Sequence, residues 1–360
     1  MNASLVYLPA LDGLRAISVV LVVISHAGFG HLVPGGLGVI VFFSISGFLL
    51  TRQMIVEVES TGQISIRSFY IRRLFRLAPA LLIYLALFNT VLGILGATIT
   101  TPDILAGVFY VANYYDIFVG FAVWSPAPIL WSLAVEEHYY LVFPWVVRAF
   151  RADVARLQPW LAAVTLLVAL WRGILYEKCA LDPGDAFCGL PDSFRIFHGT
   201  DTMIDCILWG AMAAIALHFH AVRTIAIFVN RRAVVMALVA LLGCLLLRDP
   251  WFRDTARYSI EAAAASVIIL NVLFGPFRTV RRLLSAPVIV LLGRLSYSLY
   301  LFHFGVLMVV KMVWNIHGEL YGLMPEMVYF GTSLILASMC FVLVERPMIT
   351  LRRRLGSRTR

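Results

Sequence analysis

The chain has 360 residues, of which 61% are hydrophobic and only 14% charged, and its mean hydropathy is +0.89. Because soluble globular proteins carry about 25% charged residues, this composition excludes a water-soluble enzyme. Apolar runs of about 20 residues, long enough to cross a bilayer core as a helix, recur along the whole length. A membrane-spanning segment must satisfy its own backbone hydrogen bonds, so we predict an all-α, polytopic membrane helix bundle.

We predict about ten transmembrane helices in a single integral membrane domain, residues 1–360. The predicted spans are residues 9–28, 36–55, 77–98, 129–148, 158–176, 200–219, 233–247, 258–275, 286–309 and 326–344. The stretch 99–128 is interrupted by Thr-Thr-Pro, Asn-Tyr-Tyr-Asp and Pro-Ala-Pro, so we expect a surface or re-entrant segment there. The sequence shows no recognisable cleavable signal peptide, internal repeat or appended soluble domain.

The basic residues are distributed unequally between the two sides of this topology. With a cytoplasmic N-terminus, the cytoplasmic loops and tail hold 19 arginines, and the outer loops hold six lysines and arginines. This bias follows the positive-inside rule and predicts cytoplasmic termini in a bacterial inner membrane. It also accounts for the net charge of +9 without a nucleic-acid partner.

The five cysteines show no metal-binding pattern, and we expect no metal. Three of them, Cys206, Cys244 and Cys340, lie in predicted spans, where they are expected to act as apolar filler. Cys179 and Cys188 share one outer loop, and the sequence leaves open whether they form a disulfide.

The first predicted span contains three ionisable residues, Asp12, Arg15 and His26. On an ideal helix Arg15 and His26 project from one face within roughly 20° and lie about 16 Å apart along the axis. Ionisable residues inside membrane helices are costly and usually functional, which favours proton or acyl chemistry at His26. The alternative is that Asp12 and Arg15 pair at the membrane interface and that the histidine is structural.

The segment FYIRRLFRLAPAL, residues 69–81, brings three arginines to the cytoplasmic mouth of the third span. Arg72 and Arg76 lie one turn apart with Arg73 beside them, and guanidinium groups bind phosphate through paired hydrogen bonds. The cluster therefore suits a phosphorylated ligand from the cytoplasm. Ordinary positive-inside anchors would explain it equally well.

The segment WSLAVEEHYYLVFP, residues 131–144, places two adjacent carboxylates in an apolar span. Since two unpaired buried carboxylates are costly, we expect one of them to be protonated or paired with a cation, and Arg15 is a candidate partner. Ser132 lies one turn before Glu136. The alternative, strongest for Glu137, is a buried ion pair that locks two helices together.

Asp201 and Asp205, in the segment HGTDTMIDCILWG, lie one turn apart at the outer end of a predicted span. This spacing places both carboxylates on one face of the helix. They are expected to hold a polar acceptor or merely to cap the helix.

Ser296, Tyr300 and His303, in the segment LGRLSYSLYLFHF, fall on one helical stripe. The stripe indicates the polar lining of a cavity. Aromatic packing and hydroxyl bonds to the preceding turn are an equally good explanation for the tyrosines.

In this order, the segments resemble the acyltransferase-3 family of integral membrane acyltransferases, over nearly the whole chain. The resemblance is carried by LDGLRAISVVLVVISH with its Arg-x10-His pattern, GGLGVIVFFSISGFLL, FYIRRLFRLAPAL, WSLAVEEHYYLVFP, LGRLSYSLYLFHF and LVERP. Each motif alone is weak, whereas the ordered set is specific. The resemblance implies transfer of an acyl group, usually acetyl, from acyl-CoA to a hydroxyl of a carbohydrate. Acceptors in the family include surface polysaccharides, lipopolysaccharide and glycosides.

The resemblance also implies roles for individual residues. His26 would be catalytic, as general base or acyl carrier, Arg15 essential, and Arg72, Arg73 and Arg76 linked to the acetyl-CoA donor. We add Glu136 as a catalytic candidate that orients His26 or carries a proton. The candidates for substrate binding are Ser132, Glu137, Tyr300, His303, Asp201 and Asp205.

Two departures from the family pattern are visible. Many members have an acidic residue where this chain has Ile40, and many add an extracytoplasmic esterase-like domain that this sequence does not contain. The expected partners are acyl-CoA, a carbohydrate or glycolipid acceptor, and the lipid bilayer.

A proton-coupled transporter or flippase of glycans or small molecules is the alternative function. Ten spans with intramembrane carboxylates and a histidine also suit a carrier. Neither an inverted repeat nor a matched pair of interrupted helices supports it, and a non-catalytic scaffold would not need the polar residues.

Overall fold

The computed structural model describes residues 7–190, 194–348 and 350, and every regular element in these ranges is helical. The α-helices there are α1 (Pro9–Ile24), α2 (Gly35–Thr61), α3 (Ile66–Ile94), α4 (Thr101–Val108), α5 (Ala112–Phe118), α6 (Trp131–Ala149), α7 (Leu157–Leu181), α8 (Arg195–His198), α9 (Thr200–Phe219), α10 (Ala221–Phe228), α11 (Arg231–Leu246), α12 (Pro250–Asp254), α13 (Ala256–Phe274), α14 (Arg278–Leu284), α15 (Pro287–Val313) and α16 (Leu323–Cys340). The predicted all-α bundle is confirmed. The tail arginines at 352–360 lie outside the described residues.

Within the described ranges, eight helical segments are long and apolar enough to cross a membrane. They are Pro9–Phe29, Gly35–Thr61, Ile66–Ile94, Val154–Leu181, Thr200–Phe219, Ala256–Phe274, Pro287–Val313 and Leu323–Met348. Helices α10 and α11 are bent by 61° and form a ninth span if the pair crosses as one unit. The prediction of about ten spans compares with eight or nine such segments in the described residues, and the fourth predicted span, residues 129–148, corresponds to α6, which is not among them. Its 19 residues extend about 28 Å, and it carries Glu136, Glu137 and Arg148. The chain is a multi-pass membrane protein.

The stretch 99–128 folds into two short helices, α4 and α5. They contain eight and seven residues, far fewer than the roughly 20 that a membrane-spanning helix needs. The carboxylate of Asp103 accepts hydrogen bonds from the Tyr115 hydroxyl (3.1 Å) and the Ala122 amide (3.1 Å). These bonds hold the segment against itself, so α3 leads into α6 without an additional span between them.

Helices α2 and α9 pack backbone to backbone. A Cβ atom on Gly47 would lie 1.9 Å from the carbonyl oxygen of Ile207, and one on Gly210 would lie 1.9 Å from that of Ser44. Helices in a membrane gain little hydrophobic free energy by packing on one another, so close contact through small residues is what holds them together. This crossing fixes α2, which forms one wall of the site described below.

Helices α7, α11 and α16 turn large apolar side chains away from the bundle. Examples with more than half of their surface exposed are Trp160, Leu166, Leu167, Met236, Val239, Ile335 and Met339. An apolar surface of this extent suits hydrocarbon and not water.

The loop after α7 is closed by a disulfide bond between Cys179 and Cys188. An ion pair between Lys178 of α7 and Asp185 of the loop (Nζ–Oδ2 2.8 Å) joins the helix to this loop. The hydrogen bond from Lys178 lowers the pKa of the Asp185 carboxyl group. The other three cysteines, Cys206, Cys244 and Cys340, are free and buried.

Candidate active site

A cavity of about 190 Å³ lies among α1, α2, α3, α6 and α15. We call it the arginine cavity. Of the residues predicted from the sequence, it is lined by Arg15, Arg72, Arg73, Arg76, Ser132, Glu136 and Tyr300. Aromatic and aliphatic side chains such as Phe42, Phe69 and Leu77 complete its walls. The structure thus brings together side chains that lie up to 285 positions apart in the sequence.

Two arginines of α3 have defined partners in this cavity. Arg72 donates a hydrogen bond to Glu57 near the end of α2, with a distance of 3.2 Å between Nη2 and Oε2. The guanidinium carbon of Arg73 lies 3.7 Å from the ring centroid of Tyr140, which is a cation–π contact. Both contacts hold the arginine side chains in place at the mouth of the cavity.

Arg15 enters the same cavity from α1. Its closest anionic partner among the described residues is Asp12, with a distance of 3.9 Å between Nη1 and Oδ1. Arg15 and Arg73 both act electrostatically on Arg76. Because like charges that share a small cavity repel one another, an anion that enters this cavity is strongly attracted.

The Glu136 carboxylate is held by two hydroxyl groups. Ser46 donates to Oε1 at 2.8 Å, and Tyr140 donates to Oε2 at 2.9 Å. Carboxylate oxygens accept hydrogen bonds, so these two hydroxyl donors satisfy the side chain. The hypothesis that Glu136 orients His26 does not match this arrangement, because neither oxygen is hydrogen-bonded to the imidazole.

Glu137 faces different cations from the one predicted. The cations that act on it are Arg73 and Arg76, whereas Arg15 was the expected partner of the carboxylate pair. Oε1 of Glu137 is buried and makes no hydrogen bond with a described residue. The correction has a simple cause: α6 packs near the basic turn of α3, which the sequence alone does not reveal.

His26 lies in a π-helical turn, Ser25–Phe29, that extends α1. Its Nδ1 lies 2.9 Å from the carbonyl oxygen of Val22. Since a carbonyl only accepts, the neutral imidazole carries its proton on Nδ1 and a lone pair on Nε2. Gly28 makes the turn possible: its φ is +97°, and a Cβ atom there would lie 2.5 Å from the carbonyl oxygen of Leu320. Turns of this kind occur frequently at functional sites.

A row of side chains connects His26 to the arginine cavity. The His26 and His303 ring centroids are 5.2 Å apart, and those of His303 and Tyr300 are 5.8 Å apart. The Tyr300 hydroxyl lies 2.6 Å from Oγ of Ser132. Nδ1 of His303 is bonded to the carbonyl of Leu299, while its buried Nε2 makes no hydrogen bond with a described residue. The predicted stripe on α15 does face a polar site.

The ideal-helix geometry assumed for Arg15 and His26 holds only as far as Ile24, where the π-helical turn begins. Arg15 lines the arginine cavity directly. His26 lies beyond the lining of that cavity and packs against His303 and Phe304 instead.

Asp201 and Asp205 lie elsewhere, on α9, and both have strong partners. Asp205 forms an ion pair with Arg172 (2.7 Å), and both side chains are fully buried. Asp201 accepts from Arg195 (2.7 Å) and from the indole of Trp171 (2.7 Å). A role in acceptor binding stays a prediction for both residues.

Three residues that hold the site were missed in the sequence. Tyr140 follows Glu136 by four positions, a spacing that indicates a contact on one helix face. Ser46 and Glu57 come from α2, and no sequence signal connects them to Glu136 or Arg72. Among the described residues, no group of His, Cys, Asp and Glu could hold a metal ion.

Comparison with known proteins gives one family and several relatives. The profile of the acyltransferase-3 family, described as an acyltransferase domain, matches residues 8–344. The O-acetyltransferase OatA of Staphylococcus aureus strain NCTC 8325 is 31% identical over 368 residues. A protein of strain COL, named provisionally as an O-acetyltransferase, is 30% identical over 370 residues. Both alignments cover 95% of this chain but only 57% of the relative. No solved structure matches the chain significantly. Since the family profile covers almost all of the described helices, the chain belongs to the acyltransferase-3 family.

Proposed function

We propose that the chain is a membrane O-acyltransferase that moves an acyl group, most commonly acetyl, from cytoplasmic acyl-CoA to a hydroxyl of a carbohydrate. The observation that carries this proposal is the arginine cavity, which is basic at one end and connected to His26 through Tyr300 and His303. Family membership supports group transfer over proton-coupled transport. The acceptors that we propose are a surface polysaccharide, a lipopolysaccharide or a glycoside.

Arg72, Arg73 and Arg76 would hold the phosphate groups of the donor. Guanidinium groups form paired, charge-assisted hydrogen bonds with phosphate. The ion pair of Arg72 with Glu57 is partly exposed, and such pairs contribute only about 0–1 kcal/mol, so a phosphate can replace the glutamate. The apolar walls beyond the arginines suit a slender, uncharged chain.

His26 would perform the proton transfer. The donor supplies an acyl group activated as a thioester. Nε2 of His26 takes the proton of the acceptor hydroxyl while the hydroxyl oxygen forms its bond to the acyl carbon. The carbon–sulfur bond breaks, and the proton passes from the imidazolium to the departing thiolate. The Val22 carbonyl fixes the tautomer that leaves Nε2 free for this step.

The proposed orientation places the arginine cavity on the cytoplasmic side and the disulfide loop outside, in a bacterial inner membrane. The excess of arginine in the loops on the cavity side supports this orientation. A disulfide is also stable in an oxidising envelope compartment.

The test is acetyl-CoA turnover by the purified protein in lipid nanodiscs, with CoA release and acetylated glycan measured separately. His26→Ala should lower transfer by at least about 100-fold, the typical contribution of a general base. The matched control is His220→Ala, because His220 is an exposed histidine that lines neither cavity. Wild-type rates in the His26 variant would refute the catalytic assignment.

The donor site has its own test. The double variant Arg72→Gln with Arg73→Gln should raise the apparent KM for acetyl-CoA about tenfold or more, because charge-assisted bonds to phosphate are lost. Arg67→Gln is the control, since Arg67 lies in the first turn of the same helix, α3, but does not line the cavity. An unchanged KM in the double variant would contradict the phosphate-binding role.

A further inference from the structure

A second and larger cavity, of about 970 Å³, opens on the face of the bundle that carries the disulfide loop. We call it the disulfide-side cavity. It is lined by the segment after α1, the end of α7, α8, the end of α11, α12 and the start of α13. A volume of several hundred cubic ångströms is typical of ligand sites. Cys179 and Cys188 both contribute to its wall, so the disulfide bond forms part of that wall.

The floor of this cavity holds a carboxylate with few partners. Glu261 is only 2% exposed, lines the cavity, and makes no hydrogen bond with a described residue. Its only ionic partner in the described ranges is Arg257, at 3.9 Å between Nε and Oε1, beyond hydrogen-bond distance. Nε of Arg257 is likewise buried without a hydrogen bond to a described residue. Buried polar groups are normally satisfied, so this pair is arranged for a ligand that supplies both a donor and an acceptor, as a hydroxyl group does.

The mouth of the cavity is basic. Arg248 and Arg253 line it, are exposed, and form no ion pair with a described residue. Six basic residues lie in the predicted outer loops, where the positive-inside rule leaves few. Four of them line this one cavity: Arg195, Arg248, Arg253 and Arg257. Arg195 is already paired with Asp201, and the carboxylates in the lining are those of Asp254 and Glu261, so the positive charge without an ion pair in the described residues is that of Arg248 and Arg253. The concentration of positive charge belongs to the cavity and not to the outer face in general.

The disulfide-side cavity extends to the residue next to the proposed reaction centre. Ser25 lines it, and Ser25 directly precedes His26 in the π-helical turn. Aromatic rings of Phe197 and Tyr258 form part of the wall, with their centroids 5.5 Å apart. Rings of this kind pack against the apolar faces of bound molecules.

We propose that the disulfide-side cavity binds the acceptor, and that it selects an acceptor that carries a negative charge next to its hydroxyl groups. The hydroxylated ring lies deep, against Glu261 and Arg257, and the anionic group stays at the mouth beside Arg248 and Arg253. The anion is a carboxylate of the glycan or a phosphate that links the glycan to a carrier. This inference rests on the proposed function, because that function makes the bound glycan an acceptor. The binding preference itself can be measured without catalysis.

The experiment measures equilibrium binding of three soluble probes to the purified full chain in nanodiscs. The probes are a neutral glucose tetrasaccharide, the corresponding glucuronic acid tetrasaccharide, and the neutral tetrasaccharide as its anomeric phosphate. We expect one or both anionic probes to bind about tenfold more tightly than the neutral probe, and the tighter one identifies the source of the charge.

Variants assign the preference to residues. Arg248→Gln with Arg253→Gln should abolish the preference for the anionic probe and leave the affinity for the neutral probe unchanged. Glu261→Gln should lower the affinity for every probe that binds to the wild-type protein. Lys178→Gln is the control, because it removes a charge from the same face without touching the cavity lining.

The proposal is overturned if no probe binds, or if the wild-type protein binds the charged probes no more tightly than the neutral one. It is also overturned if Lys178→Gln removes the preference for charged probes. Acetyl-CoA binding is measured in the same preparation. If the wild-type protein does not bind acetyl-CoA, or if the His26→Ala variant is active, only the proposed function is contradicted. If the anionic probes are not preferred, only the proposed acceptor preference of this cavity is contradicted.

Discussion

Arg172 is the largest completely buried side chain among the described residues, and it lies in a predicted membrane span. Its guanidinium group bonds to Asp205 and also donates to the carbonyl oxygen of Thr202 (3.0 Å). Ser259 lies beside both charged groups. An isolated charge in the bilayer interior would be very costly, so the pair is mutually dependent. This arrangement favours a structural role for Asp205.

Asp205→Asn should therefore destabilise the fold strongly. It leaves the Arg172 charge buried without its partner, which costs about 3–5 kcal/mol in comparable buried pairs. Asp153→Asn is the control, because the Asp153–Arg156 pair is exposed and is worth about 0–1 kcal/mol. Thermal unfolding in detergent measures the stability of both variants. If Asp205→Asn kept its thermal stability but lost acceptor binding, the original substrate-binding prediction would be supported instead.

At the scale of elements, the decisive feature is the π-helical turn that ends the first span. It displaces His26 from the regular helical register, so that Ser25 lines the disulfide-side cavity while His26 packs against His303 and Phe304. A second π-helical turn, Phe341–Glu345, ends α16, where buried Glu345 accepts a hydrogen bond from Ser298. Neither turn follows from apolar periodicity, since both depend on the contacts of neighbouring helices.

Gly28→Ala tests the first turn. A Cβ atom there would meet the Leu320 carbonyl at 2.5 Å in a backbone conformation with φ of +97°, so we expect transfer activity to fall at least tenfold as His26 is displaced. Gly62→Ala is the matched control: its φ is +74°, but nothing lies within 4 Å of its Cβ position. It should lose about 1 kcal/mol of stability and keep its activity. Equal activity loss in both variants would show that the turn has no special role.

At the scale of the whole molecule, two cavities of unequal size open towards opposite sides of one bundle, and the segment around His26 lies between them. This layout lets a donor and an acceptor approach from separate compartments. It requires that the α2–α3 loop and the α15–α16 loop lie on opposite sides of the membrane.

Cysteine labelling in intact cells checks this topology. Ser60→Cys, in the α2–α3 region, should resist a membrane-impermeant maleimide until the cells are lysed, whereas Glu319→Cys should react at once. Background labelling should be low, because the native free cysteines Cys206, Cys244 and Cys340 are buried. Reaction of both positions in intact cells would refute the proposed orientation.

The sequence by itself determined that this protein lies in a lipid bilayer and that it is all-helical. It also determined the approximate positions of the spans and the motifs that mark the family. These properties follow from composition and from local periodicity, which any stretch of chain carries within itself. It also identified Arg72 and Arg73 as part of a basic cluster at the mouth of a span, and Tyr300 and His303 as part of a polar stripe within one.

Only the tertiary structure decided which of those polar groups meet. Glu137 faces Arg73 and not Arg15, Glu136 is held by Ser46 from another helix, and Asp205 is committed to Arg172. The charged floor and mouth of the disulfide-side cavity were invisible in the sequence, because Glu261 comes from α13 and Arg248 from the connection between α11 and α12. Pairing depends on how helices cross, and crossings depend on small residues such as Gly47 and Gly210, whose partners are backbone atoms that carry no sequence signature.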